Sequence, residues 1–208
     1  QPKIVISDTI FLNSLQPKEI ISGYDEIIKH SLIANKKFFK YLQKNFFSII
    51  DLKSPFIEKS IYESCKIKKL IIEKDEKENG IRKILNFGHT FAHSYEAALG
   101  YSKNLNHGEA VILGIKTALK FSLENKFLKK NVYNHIMKNL NISLLPSSLN
   151  KYFTIKNLNK ILYFMEKDKK NNSDKIKLML IKNIGGPIFA KEYSRNKLKK
   201  FLKKELIN

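Results

Sequence analysis

The sequence predicts a mostly α-helical domain that also carries a few short strands. Long stretches repeat apolar residues at helical spacing, whereas only two short segments, residues 3–7 and 175–182, suit strands. The chain has 208 residues and is 43% hydrophobic, which is enough to bury one core. We therefore expect a single multi-helix domain over residues 1–208.

The first predicted elements are a strand and a long helix. Residues 3–7 (KIVIS) indicate a short buried strand. Because its pairing partner is expected upstream, we predict that residues 1–15 form an edge of a sheet outside this chain. From Pro17 the spacing is helical, since proline suits a first helical turn and six apolar residues follow on one face. These residues are Ile20, Ile21, Tyr24, Ile27, Ile28 and Leu32.

Helices dominate the rest of the chain. Apolar helical spacing recurs at residues 37–50 and 55–72, and the polar segment 75–80 (DEKENG) then predicts a loop. Two further helices are predicted, one at residues 82–99 and one at residues 108–123. The C-terminal third is expected to add short helices, the second strand and a basic final helix.

Three of the five histidines lie within residues 82–109. His89 and His93 are four positions apart on one predicted helix, so both rings could converge on one metal ion, and His107 begins the next helix. A catalytic zinc site uses three nitrogen or oxygen ligands from the protein and keeps an open position. Most helical histidine pairs, however, lie on surfaces or in cores. Spacing alone therefore leaves both a metal site and a structural role open.

The residues around these histidines resemble the signature of the 3-dehydroquinate synthase family. That signature joins an LNFGHTxGHxxE helix, a GY turn and an HGEA helix start. The matching pieces are residues 85–96, Gly100-Tyr101 and residues 107–110. The likeness continues in order along nearly the whole chain, through QPKIVISDT, SGYDEIIK, the segment from Lys68 to Arg82, Asp168-Lys169-Lys170 and the strand ending at Gly185.

The resemblance implies three groups of site residues. Glu26, His89 and His107 would be the metal ligands. Glu78 and His93 would exchange protons with the substrate, because a carboxylate and an imidazole can do so near neutral pH. The implied contacts to an anionic substrate are Lys29, Lys68, Arg82, Asn86, Lys169 and Lys170. Spacing and resemblance thus disagree about His93, which only the spacing makes a ligand.

The activity that the resemblance implies is a phosphate-eliminating cyclisation in the shikimate pathway of aromatic amino acid biosynthesis. It would convert 3-deoxy-D-arabino-heptulosonate 7-phosphate to 3-dehydroquinate, with Zn²⁺ or Co²⁺ and NAD as cofactors. The family's N-terminal Rossmann-like domain is absent from this sequence, and Gly185-Gly186 lacks the G-x-G-x-x-G context of a dinucleotide site. NAD is therefore expected in a missing N-terminal half, and the complete enzyme is expected to be a homodimer.

Two departures from the family pattern lie in the histidine segment. Ala92 replaces a glycine and adds a methyl group where we expect a close backbone approach. His89 and His107 are 107 − 89 = 18 positions apart, one more than the common family spacing. The loop at residues 102–106 should absorb the extra residue.

Composition leaves rival functions open. The 39 Lys and Arg against 19 Asp and Glu give a net charge of +20, which suits an anionic substrate, nucleic acid or an anionic membrane and also fits drift under AT-rich coding. A basic nucleic-acid-binding module is the non-enzyme alternative, although no zinc-finger or RNP string supports it. A sister sugar-phosphate cyclase or a metal-dependent alcohol dehydrogenase is the enzyme alternative.

Cysteine content and the length of the apolar runs bear on the compartment. Cys65 is the lone cysteine, which indicates a reducing environment. The apolar runs are too short for a membrane span. We therefore expect a cytoplasmic protein with neither a membrane nor nucleic acid as partner.

Overall fold

The computed structural model of the chain describes residues 3–102, 104–142, 144–167 and 175–207. Within these ranges the chain forms eight α-helices and one two-stranded antiparallel sheet. The predicted fold class, mostly α with a few short strands, is confirmed. In the same ranges, no helix combines the length and the apolar character that crossing a membrane requires.

The elements are numbered in chain order. The helices are α1 (Pro17–Ala34), α2 (Lys36–Ile50), α3 (Phe56–Lys74), α4 (His89–Ala98), α5 (His107–Glu124), α6 (Lys130–Leu140), α7 (Leu158–Lys167) and α8 (Arg195–Ile207). The strands are β1 (Lys175–Asn183) and β2 (Gly186–Ser194), and short 3-10 helices lie at Thr9–Ser14, Ile81–Asn86, Leu149–Lys151 and Ile155–Asn157. The predicted helices that correspond to α1, α2, α3 and α5 are confirmed, with ends that agree to within about two residues.

Helix α5 is the central helix of the domain. It is apolar nearly all round, as expected for a helix that is covered on every side, and it packs against α1 and α4. Two glycines allow these close contacts. A Cβ added at Gly108 would lie 2.2 Å from Ser22 Oγ of α1, and one added at Gly114 would lie 2.2 Å from the carbonyl oxygen of Gly88. The backbone of α5 therefore lies in direct contact with α1 at Ser22 and with the residue that precedes α4, Gly88.

The single helix predicted over residues 82–99 is wrong in its first half. Residues Ile81–Asn86 form a 3-10 helix, and α4 begins only at His89. Gly88 has a φ of 82°, a left-handed conformation that breaks the helix. A Cβ there would lie 2.8 Å from the backbone nitrogen of Ile115, so α5 also excludes a side chain. The break makes His89 the first residue of α4.

The buried strand predicted at residues 3–7 is also wrong for this chain. Ile4, Val5 and Ile6 are 75–81% exposed, and the segment forms no strand within the described ranges. A strand needs a neighbour to satisfy its backbone and to cover its apolar face, and no described segment supplies one here. The expectation that residues 1–15 join a sheet outside this chain stays a prediction.

The strand predicted at residues 175–182 is confirmed as β1, but its partner β2 is not indicated by the sequence. The two strands pair antiparallel, with Leu180 opposite Ile188. Strand β2 contains Pro187 and lacks a regular apolar alternation, which hides it from pattern analysis. Gly185, with a φ of 75°, lies in the turn, and its amide donates to the Leu32 carbonyl at 2.8 Å. The glycine pair thus serves a hairpin that is anchored on α1.

We expect Gly114→Ala to destabilise the domain by about 2–3 kcal/mol, because the added methyl group would overlap the Gly88 carbonyl at a crossing of two backbones. Urea unfolding followed by circular dichroism measures the change. Gly23→Ala is the matched control, since a Cβ at this exposed α1 position meets nothing within 4 Å, and alanine there should stabilise the helix by up to ~1 kcal/mol. Equal stability of Gly114→Ala and the unmodified chain would contradict the close approach of α4 and α5.

Candidate metal centre

Three side chains of the metal-binding type meet where α1, α4 and α5 come together. Glu26, His89 and His107 each offer one ligand atom, and these atoms all lie within 4.8 Å of one another. Glu26 lies in the middle of α1, whereas the two histidines are the first residues of α4 and α5. The packing of α5 against both other helices therefore brings together residues that are far apart in sequence.

Glu26 and Lys29 form the inner, largely buried side of the cluster. Lys29 Nζ donates to Glu26 Oε2 at 2.7 Å, and its side chain is only 3% exposed. Burial acts to raise the pKa of Glu26, but the charge and hydrogen bond of Lys29 outweigh it and lower that pKa. Glu26 Oε1 is buried without a hydrogen-bond partner among the described residues. This carboxylate is therefore ionised and keeps one oxygen available to a cation.

His89 lies beside this pair in a state suited to metal binding. Its Nε2 is 3.4 Å from Glu26 Oε1 and 3.4 Å from Lys29 Nζ, and its Nδ1 is 3.4 Å from the Phe87 carbonyl oxygen. Burial and the nearby Lys29 charge lower the pKa of His89 to about 4. The ring is uncharged at neutral pH, which is the form that binds metals.

His107 is held in place by a residue that sequence analysis did not single out. Glu96 of α4 lies with its two carboxylate oxygens 3.1 and 3.2 Å from His107 Nδ1. The hydrogen bond to Glu96 raises the pKa of His107 and leaves Nε2 for other partners. The only signal in the sequence was the glutamate that closes the HxxE part of the histidine segment. Its contact with His107 depends on the packing of α4 against α5.

The start of α5 is built to present His107. Asn106 accepts from the Glu109 amide at 2.8 Å, and Glu109 accepts from the Asn106 amide at 2.8 Å, which forms a capping box. Lys18 of α1 adds an ion pair to Glu109 at 3.1 Å. His107 is thus the first helical residue after a well-defined cap, on a backbone whose position is fixed against α1.

His93 lies at the outer edge of the cluster. It is exposed, one turn after His89 on α4. Its ring centroid is 5.3 Å from that of His89 and 6.3 Å from that of His107. The three converging ligand atoms belong to Glu26, His89 and His107, and His93 lies next to this group. The arrangement places a further imidazole next to the three converging side chains.

Asp75 organises the loop that follows α3, which is another role that sequence analysis missed. Its carboxylate accepts from the amides of Asn79 and Gly80, at 2.9 and 2.7 Å, and from that of Arg82 at 2.9 Å. These hydrogen bonds lower the pKa of Asp75, the one from Arg82 most. The loop is therefore folded around one carboxylate. The DEKENG string indicated a loop but not this function of its first residue.

This loop and the 3-10 helix that follows it carry three of the sequence-predicted site residues. Asn86 donates to Glu78 Oε1 at 2.7 Å, which joins a proposed substrate contact to a proposed proton-transfer group. The Arg82 guanidinium donates to the Glu76 carbonyl. Glu78 is partly buried and has a φ of 56°, so its placement is a defined turn conformation rather than an open coil.

The remaining predicted substrate contacts divide into two groups. Lys68 is exposed on α3, and its charge contributes to lowering the pKa of Lys29 after the larger effect of burial. Lys68 is therefore within electrostatic range of the cluster. Lys169 and Lys170 lie outside the described residues.

Known relatives place the chain in one family. A sequence profile described as 3-dehydroquinate synthase C-terminal matches residues 23–171. The chain is 60% identical over 206 residues to the 3-dehydroquinate synthase of Pelagibacter ubique, covering 99% of this chain and 56% of that protein. It is 36% identical over 187 residues to that of Thermoanaerobacter pseudethanolicus, covering 89% of this chain and 51% of the relative. The chain thus spans about half the length of the curated relatives it matches.

Solved structures of more distant proteins share the fold. A 2-deoxy-scyllo-inosose synthase complexed with carbaglucose-6-phosphate, NAD⁺ and Co²⁺ superposes with a TM-score of 0.84 at 20% identity, covering 99% of this chain and 57% of that one. A 2-epi-5-epi-valiolone synthase from Streptomyces hygroscopicus, with NAD⁺ and Zn²⁺ bound, gives a TM-score of 0.79 at 20% identity, covering 95% and 54%. These likenesses establish the architecture, and the profile and sequence identities go further: the chain belongs to the 3-dehydroquinate synthase family, whose C-terminal region it carries.

Proposed function

We propose that this chain is the metal- and substrate-binding part of a 3-dehydroquinate synthase, a lyase that converts 3-deoxy-D-arabino-heptulosonate 7-phosphate to 3-dehydroquinate and phosphate. The observation that carries the proposal is the convergence of Glu26, His89 and His107, whose ligand atoms lie within 4.8 Å of one another. The curated relatives named for this activity support it over a sister cyclase, because the solved sister cyclases are only 20% identical to the chain.

The residues of the cluster fit a Zn²⁺ or Co²⁺ ion. Glu26 offers a buried carboxylate oxygen that no described donor satisfies, and His89 offers an uncharged imidazole. With His107 they make a carboxylate and two imidazoles, a set that keeps a position open for a substrate oxygen. When bound, the metal would polarise that oxygen as a Lewis acid, and NAD would carry a hydride.

Around the ligand set, cationic and polar side chains are proposed to bind the anionic substrate. Lys29 is buried beside Glu26, so its ammonium can contact a group held at the metal ligands. The other proposed contacts are Lys68, Arg82, Asn86, Lys169 and Lys170. Glu78 and His93 are the proposed proton-transfer groups, and the hydrogen bond from Asn86 holds the carboxylate of Glu78 in one orientation.

NAD binding is assigned to a nucleotide-binding portion outside this chain, since the relatives are about twice as long. The exposed apolar side chains of Ile4, Val5 and Ile6 would be covered if residues 3–7 paired with a sheet of that portion. A homodimer of the complete enzyme and a cytoplasmic location, consistent with the exposed free Cys65, complete the proposal.

A fusion tests the activity. The N-terminal portion of the Pelagibacter ubique relative, joined to this chain, should release phosphate from the seven-carbon sugar phosphate in an NAD-dependent reaction, and the chain alone should not. Phosphate release and dehydroquinate formation are both measured, with other sugar phosphates as a substrate panel. The same fusion with His89→Ala is the inactive control. A folded, NAD-binding fusion that turns over only another sugar phosphate would contradict the proposed function.

Metal binding separates the two interpretations of His93. His107→Ala should lower the Co²⁺ or Zn²⁺ content of the purified chain to a small fraction, because it removes one of three ligands. His93→Ala, on the same helix face as His89, should keep the metal, and in the fusion it should lose turnover by about 10²–10⁴-fold as a proton-transfer group. Elemental analysis and rate are measured on one preparation. Loss of metal in His93→Ala with retention in His107→Ala would show that helical spacing, and not the resemblance, identifies the ligands.

The role of Glu96 leads to a quantitative expectation. Glu96→Ala should weaken Co²⁺ binding by about 10–100-fold, because His107 loses the carboxylate that orients its ring. Glu96→Gln retains a hydrogen-bond acceptor and should lose less. Co²⁺ titration by visible absorption gives the affinities. Glu192→Ala, which removes an exposed β2 carboxylate that pairs only weakly with Lys177 at 3.6 Å, is the control. Equal affinity for Glu96→Ala and Glu192→Ala would rule out an orienting role.

A further inference from the structure

A buried hydrogen bond joins α1 to α3 behind the metal centre. His30 Nδ1 lies 2.7 Å from Ser64 Oγ, and the two residues are only 5% and 6% exposed. Polar groups at such depth cost free energy unless they are paired. The pairing therefore fixes how these two helices face each other at this level.

The position of this bond on each helix connects it to the site. His30 follows Glu26 by four residues and Lys29 by one, so it lies one turn from the metal ligand on the same helix. Ser64 precedes Lys68 by four residues on α3, which places these two side chains on one face. The hydrogen bond thus links the helix face that carries Glu26 to the helix face that carries Lys68.

A second buried serine on α3 provides the contrast. Ser60 is also buried, one turn before Ser64, but its hydroxyl donates to the Phe56 carbonyl of its own helix at 2.7 Å. That bond is local and links no second element. Of the two hydroxyls, only that of Ser64, one turn before Lys68, forms a hydrogen bond to α1.

We infer that His30 and Ser64 are positioning residues, whose hydrogen bond fixes the α3 face that carries Lys68 against the α1 face that carries Glu26, so that Lys68 can bind an anion held at the proposed metal ligands. The inference rests on the proposed function, because Lys68 is one of its substrate contacts. The ligand chemistry is that of a phosphate or carboxylate, which an ammonium group binds as a point charge.

The test is the binding of inorganic phosphate to the Co²⁺-loaded chain, measured by calorimetry. Ser64→Ala should weaken phosphate binding about fivefold to tenfold, the effect of one lost hydrogen bond, and should leave Co²⁺ affinity unchanged. Ser60→Ala is the matched control and should bind phosphate like the unmodified chain. Ser64→Thr keeps a hydroxyl and His30→Asn keeps a nitrogen near the Nδ1 position, so both should retain most of the affinity. These two variants still test the inference if Ser64→Ala does not fold.

A double-mutant cycle distinguishes positioning from general stabilisation. If Ser64 acts through Lys68, then Ser64→Ala should have no further effect on phosphate binding in a Lys68→Met background. Additive losses, an unchanged affinity in Ser64→Ala, or no phosphate binding by the unmodified chain would each overturn the inference. These measurements need no turnover. An inactive fusion whose chain still shows the coupling would therefore overturn the proposed function and leave the positioning role standing.

Discussion

The contact of α5 with its two neighbours at backbone distance is the constraint on which the site depends. Gly114 meets the Gly88 carbonyl, and Gly108 meets Ser22, with no room for a Cβ at either point. Because His107 is the residue just before Gly108 and His89 the residue just after Gly88, these contacts set the separation of the two histidines. Ala92 lies at the same contact, since its Cβ is 3.2 Å from the point that a Cβ added at Gly114 would occupy. The methyl group that departs from the family pattern is therefore accommodated at the closest point of the crossing.

Charge compensation is the second requirement of this interior. Glu26, Lys29 and His89 are partly or wholly buried. Each lowers the free-energy cost of burying the others, because an ion pair next to an uncharged imidazole leaves no isolated charge. Asp25 is a nearby exception, since neither of its carboxylate oxygens has a hydrogen-bond partner among the described residues. Asp25 is fully buried, and burial with the nearby Glu26 and Glu109 raises its pKa well above the usual value, while Lys116 opposes that rise. Lys116 in turn donates to the Pro146 carbonyl, which ties the loop before Tyr152 to α5.

The two halves of the site are built by different means. The ligand side depends on helix packing, so its residues are rigid with the core. The side that carries Glu78, Arg82 and Asn86 depends on one carboxylate, since Asp75 binds three backbone amides and so shapes the loop that carries Glu78 and leads into the 3-10 helix of Arg82 and Asn86. Lys68 lies on α3, and its proposed placement relative to the ligand side depends on the buried contact between His30 and Ser64. The proposed substrate contacts and the proposed metal ligands are thus carried by separate elements.

The sequence by itself determined the fold class, the bounds of α1, α2, α3 and α5, and the set of side chains that approach one another around Glu26 and His89. Helical periodicity is a local property, and the ordered match to one family is the basis of the chemistry proposed for those residues. Strand β2, the break at Gly88 and the exposure of residues 3–7 were decided by tertiary structure, because each depends on whether another segment lies alongside. The same holds for Glu96, Asp75 and Ser64. Their partners are 11, 7 and 34 positions away, and a hydrogen bond across such a separation exists only once packing has set the distance between two elements.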